Sequence, residues 1–296
     1  MKNLNVIKSL LIISVALPMP AWAAYQSGFY GEVQAALTHR DNVSQSLDST
    51  NAQSDNLSTL TLGGGYRNKI GDSNQLIAAA YVSFNRYNEF DGLDNTAASL
   101  GLYWTTQPTP GYDKPWYVVS TRLIRLDYED SDIREGNLWT IGASANKRLT
   151  DTVTGHLGFQ HVRRLPQDDD AGIAFDTRSN EIYIGLDFQL TRKLSLKGEY
   201  SRLHGDVTYS ESQTTAPYAY AGSTSRDPAL DRCGPSGCTS WYSWRQSAKT
   251  NKWQSGIEYQ FGAVSVDLTA EYYDSDLDGN GTYNDWLVQT GVVWTF

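Results

Sequence analysis

The stretch Gln289-Thr-Gly-Val-Val-Trp-Thr-Phe296 decides the fold, because its side chains alternate in character. Trp294 and Phe296 share one face, while Gln289 and Gly291 share the other. Successive side chains of a β-strand point to opposite faces. The alternation therefore predicts a strand with one apolar face and one small or polar face, and it favours an all-β protein.

The same stretch resembles the C-terminal insertion signal of Gram-negative outer-membrane β-barrels. Four positions carry the resemblance, namely Gln289, Gly291, Trp294 and Phe296. The resemblance implies an integral protein of the bacterial outer membrane that the barrel-assembly machinery inserts. Its surroundings would then be outer-membrane lipid and lipopolysaccharide.

The beginning of the chain agrees with an exported protein. Two lysines precede a short apolar stretch, and Ala21-Trp22-Ala23 offers a cleavage site, so residues 1–23 predict a secretory signal peptide. The apolar stretch is too short to cross a bilayer as a helix. We expect residues 24–296 to form one transmembrane β-barrel domain.

About twelve alternating segments follow, each about ten residues long, which suffices for a tilted strand to cross a bilayer. The clearest is 181–190, where Ile182 and Ile184 alternate with Tyr183 and Asp187. Short and long connections also alternate along the chain, as in barrels with short periplasmic turns and long extracellular loops. The sequence thus predicts an antiparallel up-and-down β-barrel of about twelve strands, closed so that no sheet edge meets lipid.

The strand count depends on one irregular segment. The alternation in 116–128 slips near Ile124, which predicts a β-bulge and leaves ten or fourteen strands as alternatives. Aromatic residues at segment ends predict the interfacial belts of a membrane barrel. These residues are Tyr66, Trp104, Trp116, Trp139, Tyr200, Trp253, Tyr272, Trp286 and Trp294.

Charge limits the possible partners. The formal net charge is −9, so no basic surface is expected that could neutralise the phosphates of a nucleic acid. The faces opposite the apolar residues carry more acids than bases, which predicts a narrow pore for cations or small polar solutes. A lumen plugged by ion pairs is an equal alternative, which would make the barrel a passive surface scaffold. The predicted lumen charges are Glu32, Arg122, Arg148, Glu181, Asp187, Lys197, Glu199, Lys252, Glu258, Asp267 and Glu271.

The connection 274–285 resembles the twelve-residue calcium loop of EF-hand-like proteins. Its predicted oxygen ligands are Asp274, Asp276, Asp278, Asn280 and Asp285. The loop departs from the family pattern because its twelfth position is Asp rather than Glu, and because strands, not helices, flank it. The alternative is an acidic hairpin loop rich in turn-forming residues. No other cofactor is expected.

The longest predicted loop, 204–247, contains the only two cysteines, Cys233 and Cys238. An exported chain folds in an oxidising compartment, so we expect a disulfide between them. Nearby aromatics such as Trp241 and Trp244 are expected to fold inward or to extend the neighbouring strands, rather than to bind sugars or a partner.

An enzyme that hydrolyses envelope lipids is the rival function. It would need a histidine with a nucleophile or a carboxylate partner. His161 and His204 are the candidates, because both lie near predicted loops that carry aspartates. No serine motif of barrel phospholipases accompanies them, so the sequence favours a protein without catalytic activity.

Overall fold

The computed structural model describes residues 27–47, 49, 51–168, 171–212, 223–234, 237–278 and 281–296. The predicted signal peptide lies outside these ranges. Alternating side chains build fifteen strands within them. They are β1 Gly28–Arg40, β2 Asp55–Ile70, β3 Asn74–Tyr87, β4 Asn95–Thr106, β5 Trp116–Tyr128, β6 Gly136–Arg148, β7 Val153–Pro166, β8 Thr177–Gln189, β9 Leu194–Ser212, β10 Ser223–Arg226, β11 Arg232–Gly234, β12 Gly237–Thr239, β13 Trp241–Phe261, β14 Val264–Leu277 and β15 Gly281–Thr295.

Twelve of these strands, β1–β9 and β13–β15, form one closed antiparallel barrel in which each strand pairs with its chain neighbours and β15 pairs with β1. The predicted twelve-stranded up-and-down barrel is therefore confirmed. Closure gives every barrel strand two hydrogen-bonding neighbours, which hydrocarbon surroundings demand. In the described residues, no helix is both long and apolar enough to cross a membrane.

The wall has an apolar outer face and a polar inner face. On β8, Ile182 and Ile184 are 67% and 60% exposed outward, whereas Glu181 is buried inside. The same alternation holds across the barrel: the large apolar side chains of the strands that are exposed lie on the outward face. An isolated soluble domain would not leave such a surface in water, and a bilayer explains it.

Two sequence expectations about β5 are wrong. Its pairing with β4 and β6 is continuous, so there is no bulge near Ile124. The sequence alternation weakens there because the inward positions themselves become apolar: Ile124 and Tyr128 are buried inside. Trp116, expected in the aromatic belt, is likewise buried on the inner face.

The barrel closes where β15 meets β1. The amide of Gly31 donates to the carbonyl of Phe296 at 2.7 Å, and the amide of Phe296 donates to Gly31 at 3.0 Å. The Phe296 ring lies over Gly31, where a Cβ would come within 2.5 Å of it. Glycine therefore leaves room for this ring, which packs beside Trp294 in a tilted arrangement at 4.8 Å between centroids.

Six connections define the loop end of the barrel and short connections define the turn end. The loops are L1 (41–54), L2 (88–94), L3 (129–135), L4 (167–176), L5 (213–240) and L6 (278–280). Two are shorter than expected, because the strands beside them continue beyond the predicted ends. Strands β9 and β13 run to Ser212 and from Trp241, which turns most of the predicted 204–247 loop into a long hairpin.

Candidate functional site

All eleven predicted lumen charges lie on the inner face of the wall. They occupy inward positions of β1, β5, β6, β8, β9, β13 and β14. Several of them pair across strands. The Nζ of Lys252 lies 3.3 Å from Oε1 of Glu181, and the Nζ of Lys197 lies 2.8 Å from Oε2 of Glu258.

His156, on an inward position of β7, also belongs to this charged lining. Its Nε2 lies 3.1 Å from Oε2 of Glu199, and its Nδ1 lies 3.4 Å from Oδ2 of Asp187. Since carboxylates engage both ring nitrogens, neither nitrogen is available to activate a nucleophile. His156 therefore has a structural role in the lumen, where it pairs with two carboxylates, and not the role of a general base.

Water reaches the lumen charges unequally. Near the loop end, the side chains of Lys252 and Glu181 are only 3% and 8% exposed. Near the turn end, those of Asp187 and Lys197 are 39% and 33% exposed. The part of the lumen next to the turns is therefore hydrated, whereas the part next to the loops is packed.

The loops explain the packed end, because the described part of L5 around Leu230 lies across the mouth of the barrel. Strands β3 and β4, which L2 connects, stand opposite β9 and β13 in the strand order. Even so, Leu230 of L5 packs in one buried cluster with Phe90 and Leu93 of L2 and Val43 of L1. Fully burying a side chain of this size contributes about 1.5–3 kcal/mol. We call this assembly of L1–L5 the loop cap.

A second cluster attaches the β9–β13 hairpin to the same cap. Tyr209 and Trp244 are fully buried and stack at 5.8 Å between centroids. Beside them, the Glu211 carboxylate accepts hydrogen bonds from Oγ of Ser46 at 2.7 Å and from the amide of Leu47 at 2.6 Å. These bonds connect the hairpin to L1.

A buried ion pair connects L5 to L3. Asp227 is 0% exposed, and Arg134 donates to both of its carboxylate oxygens, from Nε at 3.0 Å and from a terminal nitrogen at 2.6 Å. Ser243 and Ser210 also donate to Asp227, at 2.5 and 3.3 Å. The Arg134 guanidinium lies 4.9 Å from the ring centre of Phe175 in L4. A bidentate, buried pair of this kind is costly to break from one side.

The Arg134–Asp227 pair also sets the pH range of the closed cap. Burial by itself raises the pKa of Asp227, but the charge of Arg134 and the hydrogen bonds from Arg134, Ser243 and Ser210 lower it below the ordinary value. Because the pKa of Asp227 is lower in the closed cap than in the unfolded chain, the pair contributes its full stability above the unfolded-state pKa of about 4. This stability is lost as the pH falls through the lower pKa of the closed cap.

We therefore expect the cap to stay closed from pH 8 to pH 5 and to loosen only below about pH 4. Iodide quenching of tryptophan fluorescence measures this, because the buried Trp241 and Trp244 become accessible when the cap opens. Opening centred near pH 6 or 7 would contradict the assignment to Asp227.

The structure does not bring the predicted calcium ligands together. Strands β14 and β15 extend to Leu277 and from Gly281, so only L6 separates them. Asp285 occupies an inward position and pairs with Arg40, whereas Asp274 and Asp276 occupy outward positions. Asn280 lies outside the described residues. Among the residues that are described, no group of three or more His, Cys, Asp or Glu has metal-binding geometry.

The histidines proposed for catalysis lie on the outer face. His161 Nδ1 is 2.9 Å from the Oδ1 of Asn180, and Asn180 is the register partner of His204. Within the part of the chain that the structure describes, neither histidine is hydrogen-bonded to a serine or a carboxylate, so this row does not show the partners that hydrolysis requires. In L5, β11 and β12 pair Cys233 with Cys238 through the backbone, and the disulfide remains a prediction because their side chains lie outside the description.

The cap contacts are what the sequence did not indicate. Arg134 and Asp227 are 93 positions apart and carry no local motif. Glu211 and Ser46 are separated by 165 positions. Only the apolar character of Trp241 and Trp244 pointed to a packed loop end.

No family model matches this chain, and no curated protein matches it in sequence. Solved structures do resemble it. An outer membrane channel from Pseudomonas putida F1 shares 12% identity, with a TM-score of 0.60 over 93% of this chain and 97% of that one. The NanC porin shares 8% identity, with a TM-score of 0.47 over 88% of this chain and 98% of that one. The protein thus has the fold of outer-membrane channel barrels.

Proposed function

We propose that the protein is an outer-membrane channel for small polar solutes whose loop end is closed by the cap in the conformation described. The observation that carries this proposal is the hydrated, charged lumen, in which Asp187 and Lys197 remain more than 30% exposed beneath a wall that is apolar outside. A path for small polar solutes requires charged side chains that water can reach inside the barrel.

Conduction requires the cap to move. The Arg134–Asp227 pair and the cluster around Leu230 join L5 to other loops, and Glu211 joins the β9–β13 hairpin to L1. Loops carry the least stable parts of a fold and commonly move on the microsecond-to-millisecond scale. Reconstitution in a planar bilayer tests the function: we expect brief conductance steps from the intact protein and long-lived steps once the cap is released. Silence in both states, with a folded barrel, would overturn the channel proposal.

The lumen charges predict a preference for cations, because seven of the eleven are acidic. Glu32 and Asp267 are half-buried inward carboxylates, and their loss changes the charge of the lining without breaking an ion pair between described residues. Screened charges contribute about 0.2–1 kcal/mol each. The double change Glu32→Gln with Asp267→Asn should therefore lower the cation-to-anion permeability ratio roughly threefold.

Reversal potentials in a potassium chloride gradient measure that ratio. The change Lys197→Gln provides the matched control, because it removes a positive charge from the same lining and should raise the ratio. A ratio unaffected by both changes would mean that ions do not pass along this lining.

A lipid hydrolase finds no support in the geometry. His156 is occupied by carboxylates on both sides, and His161 and His204 face outward beside Asn180.

A further inference from the structure

One sector of the outer wall carries a row of polar and basic side chains near the loop end. The register aligns His161 of β7 with Asn180 of β8, Asn180 with His204 of β9, and His204 with Lys249 of β13. Arg178 and Arg202 stand next to this row. These positions share the outward face with Ile182, Tyr200 and Trp253, so their side chains project toward the membrane and not into the lumen. We call Arg178, Arg202 and Lys249, with the two histidines, the basic patch.

The cations of the basic patch are exposed and lack acidic partners. Within the described ranges, no carboxylate lies within 4.0 Å of the side-chain nitrogens of Arg178, Arg202 or Lys249. Other outward arginines differ. Arg86 pairs with Glu129 at 2.5 Å, and Arg125 pairs with Glu135 at 3.4 Å. On a protein with a formal net charge of −9, three neighbouring unpaired cations are a local exception.

The acidic side chains near the basic patch either bond to other groups or lie too far from the patch cations to form ion pairs. Asp206 accepts hydrogen bonds from the backbone amide of Arg178 at 3.3 Å and from Oγ of Ser247 at 3.2 Å. Asp176 is shared between Arg163 and Arg245. Asp276 is the register partner of Lys249 without being within ion-pair distance of it. Arg178, Arg202 and Lys249 thus form a cluster of three cations, and neither Asp206 nor Asp276 lies within ion-pair distance of them in the described residues.

The height of the patch matches lipid headgroups. Tyr200 and Trp253 lie side by side at 5.6 Å between ring centroids, as aromatic residues of an interfacial belt do. Arg202 is the next outward residue beyond Tyr200, and Lys249 is the second beyond Trp253. Arginine and lysine just outside an aromatic belt meet the phosphates of the headgroups, and arginine binds phosphate through two nitrogens at once.

We propose that the basic patch is a binding site for the phosphate groups of lipopolysaccharide in the outer leaflet. The site uses Arg178, Arg202 and Lys249 as charged donors, with His161 and His204 as further hydrogen-bonding groups. The proposal depends on the position of the barrel in the outer membrane and does not depend on conduction through the lumen.

The test compares two sets of neutralised cations in purified, folded protein. The triple variant Arg178→Gln, Arg202→Gln, Lys249→Gln should bind fluorescent diphosphorylated lipid A in detergent at least about tenfold more weakly than the unaltered protein. The matched control is Arg86→Gln with Arg125→Gln, which removes outward arginines that already have acidic partners. It should bind within about twofold of the unaltered protein.

Two further arms identify the source of the phosphate. Monophosphorylated lipid A should bind more weakly than the diphosphorylated form, and this difference should disappear in the triple variant. Inorganic phosphate at millimolar concentration should compete only weakly. Equal binding by the triple variant and the control, or inorganic phosphate binding as well as the lipid, would overturn the proposal. Heat-dependent gel mobility confirms that each variant is folded.

Discussion

Replacing Asp227 with alanine is expected to convert a mostly closed barrel into a mostly open one. The change leaves the Arg134 guanidinium, now without its carboxylate, in a site where Asp227 was 0% exposed and Arg134 was 11% exposed. Removing one partner of a buried ion pair costs about 3–5 kcal/mol. That cost falls on the closed cap alone, because in the open cap both groups reach water. The ratio of open to closed barrels should rise about a hundredfold or more.

Single-channel recording measures this ratio as the fraction of time that the barrel conducts. The matched control is Asp72→Asn, which removes the carboxylate of an exposed ion pair with Lys69 at the turn end. It makes the same change in charge far from the cap and should leave the open fraction unchanged. Conduction that is equal in unaltered and Asp227→Ala protein would mean that the cap does not gate the lumen, although the channel proposal itself would stand.

Replacing Phe296 with alanine is expected to reduce the amount of assembled barrel in the outer membrane by about tenfold or more. The resemblance of the last strand to an insertion signal motivates the prediction. The structure adds that the Phe296 ring packs over Gly31 and beside Trp294 at the seam between β15 and β1. Loss of packing should affect any comparably exposed phenylalanine to a similar extent, so a loss of assembly confined to the Phe296 variant would reflect recognition by the assembly machinery.

Phe261 provides the control for this experiment, because it is another outward phenylalanine at the turn end of a strand. It is 57% exposed, against 65% for Phe296. Phe261→Ala should leave assembly within about twofold of normal, as expected for a single exposed side chain. Heat-modifiable protein in outer-membrane fractions reports assembly in both variants. Equal losses would show that Phe296 acts only as part of the aromatic belt.

The barrel could be predicted because lipid and lumen impose a period of two on every strand. On β8, Ile182, Ile184 and Leu186 stand against Glu181 and Tyr183, and the structure keeps this order. Where that contrast weakens, the prediction fails. On β5 the inward residues are apolar, as Ile124 shows, so a regular strand resembled one with a bulge. Beyond the membrane, both faces of the β9–β13 hairpin are packed against loops, and the alternation no longer marks the strand ends.

The loop cap could not be predicted for a different reason. Its main contacts join residues far apart in sequence, such as Arg134 with Asp227, and each residue alone resembles an ordinary polar loop residue. The acidic pattern near L6 was misleading in the opposite way. Oxygen ligands two residues apart suit a cation in a curled loop, but in a strand hairpin Asp285 turns inward and meets Arg40. In an extended backbone, the same residues alternate between the two faces of the sheet, and Asp285 forms an ion pair instead.

A spin-label scan along β8 tests the central claim most directly. Single cysteines are placed at each position from 181 to 189 in a background without Cys233 and Cys238, and each labelled barrel is reconstituted in lipid. Accessibility to oxygen, which dissolves in hydrocarbon, should peak at 182, 184, 186 and 188. Accessibility to a water-soluble nickel complex should peak at the positions between them and rise toward Asp187 near the turn end. Accessibility without a period of two, or oxygen peaks on the opposite positions, would contradict a lipid-spanning barrel with a hydrated lumen.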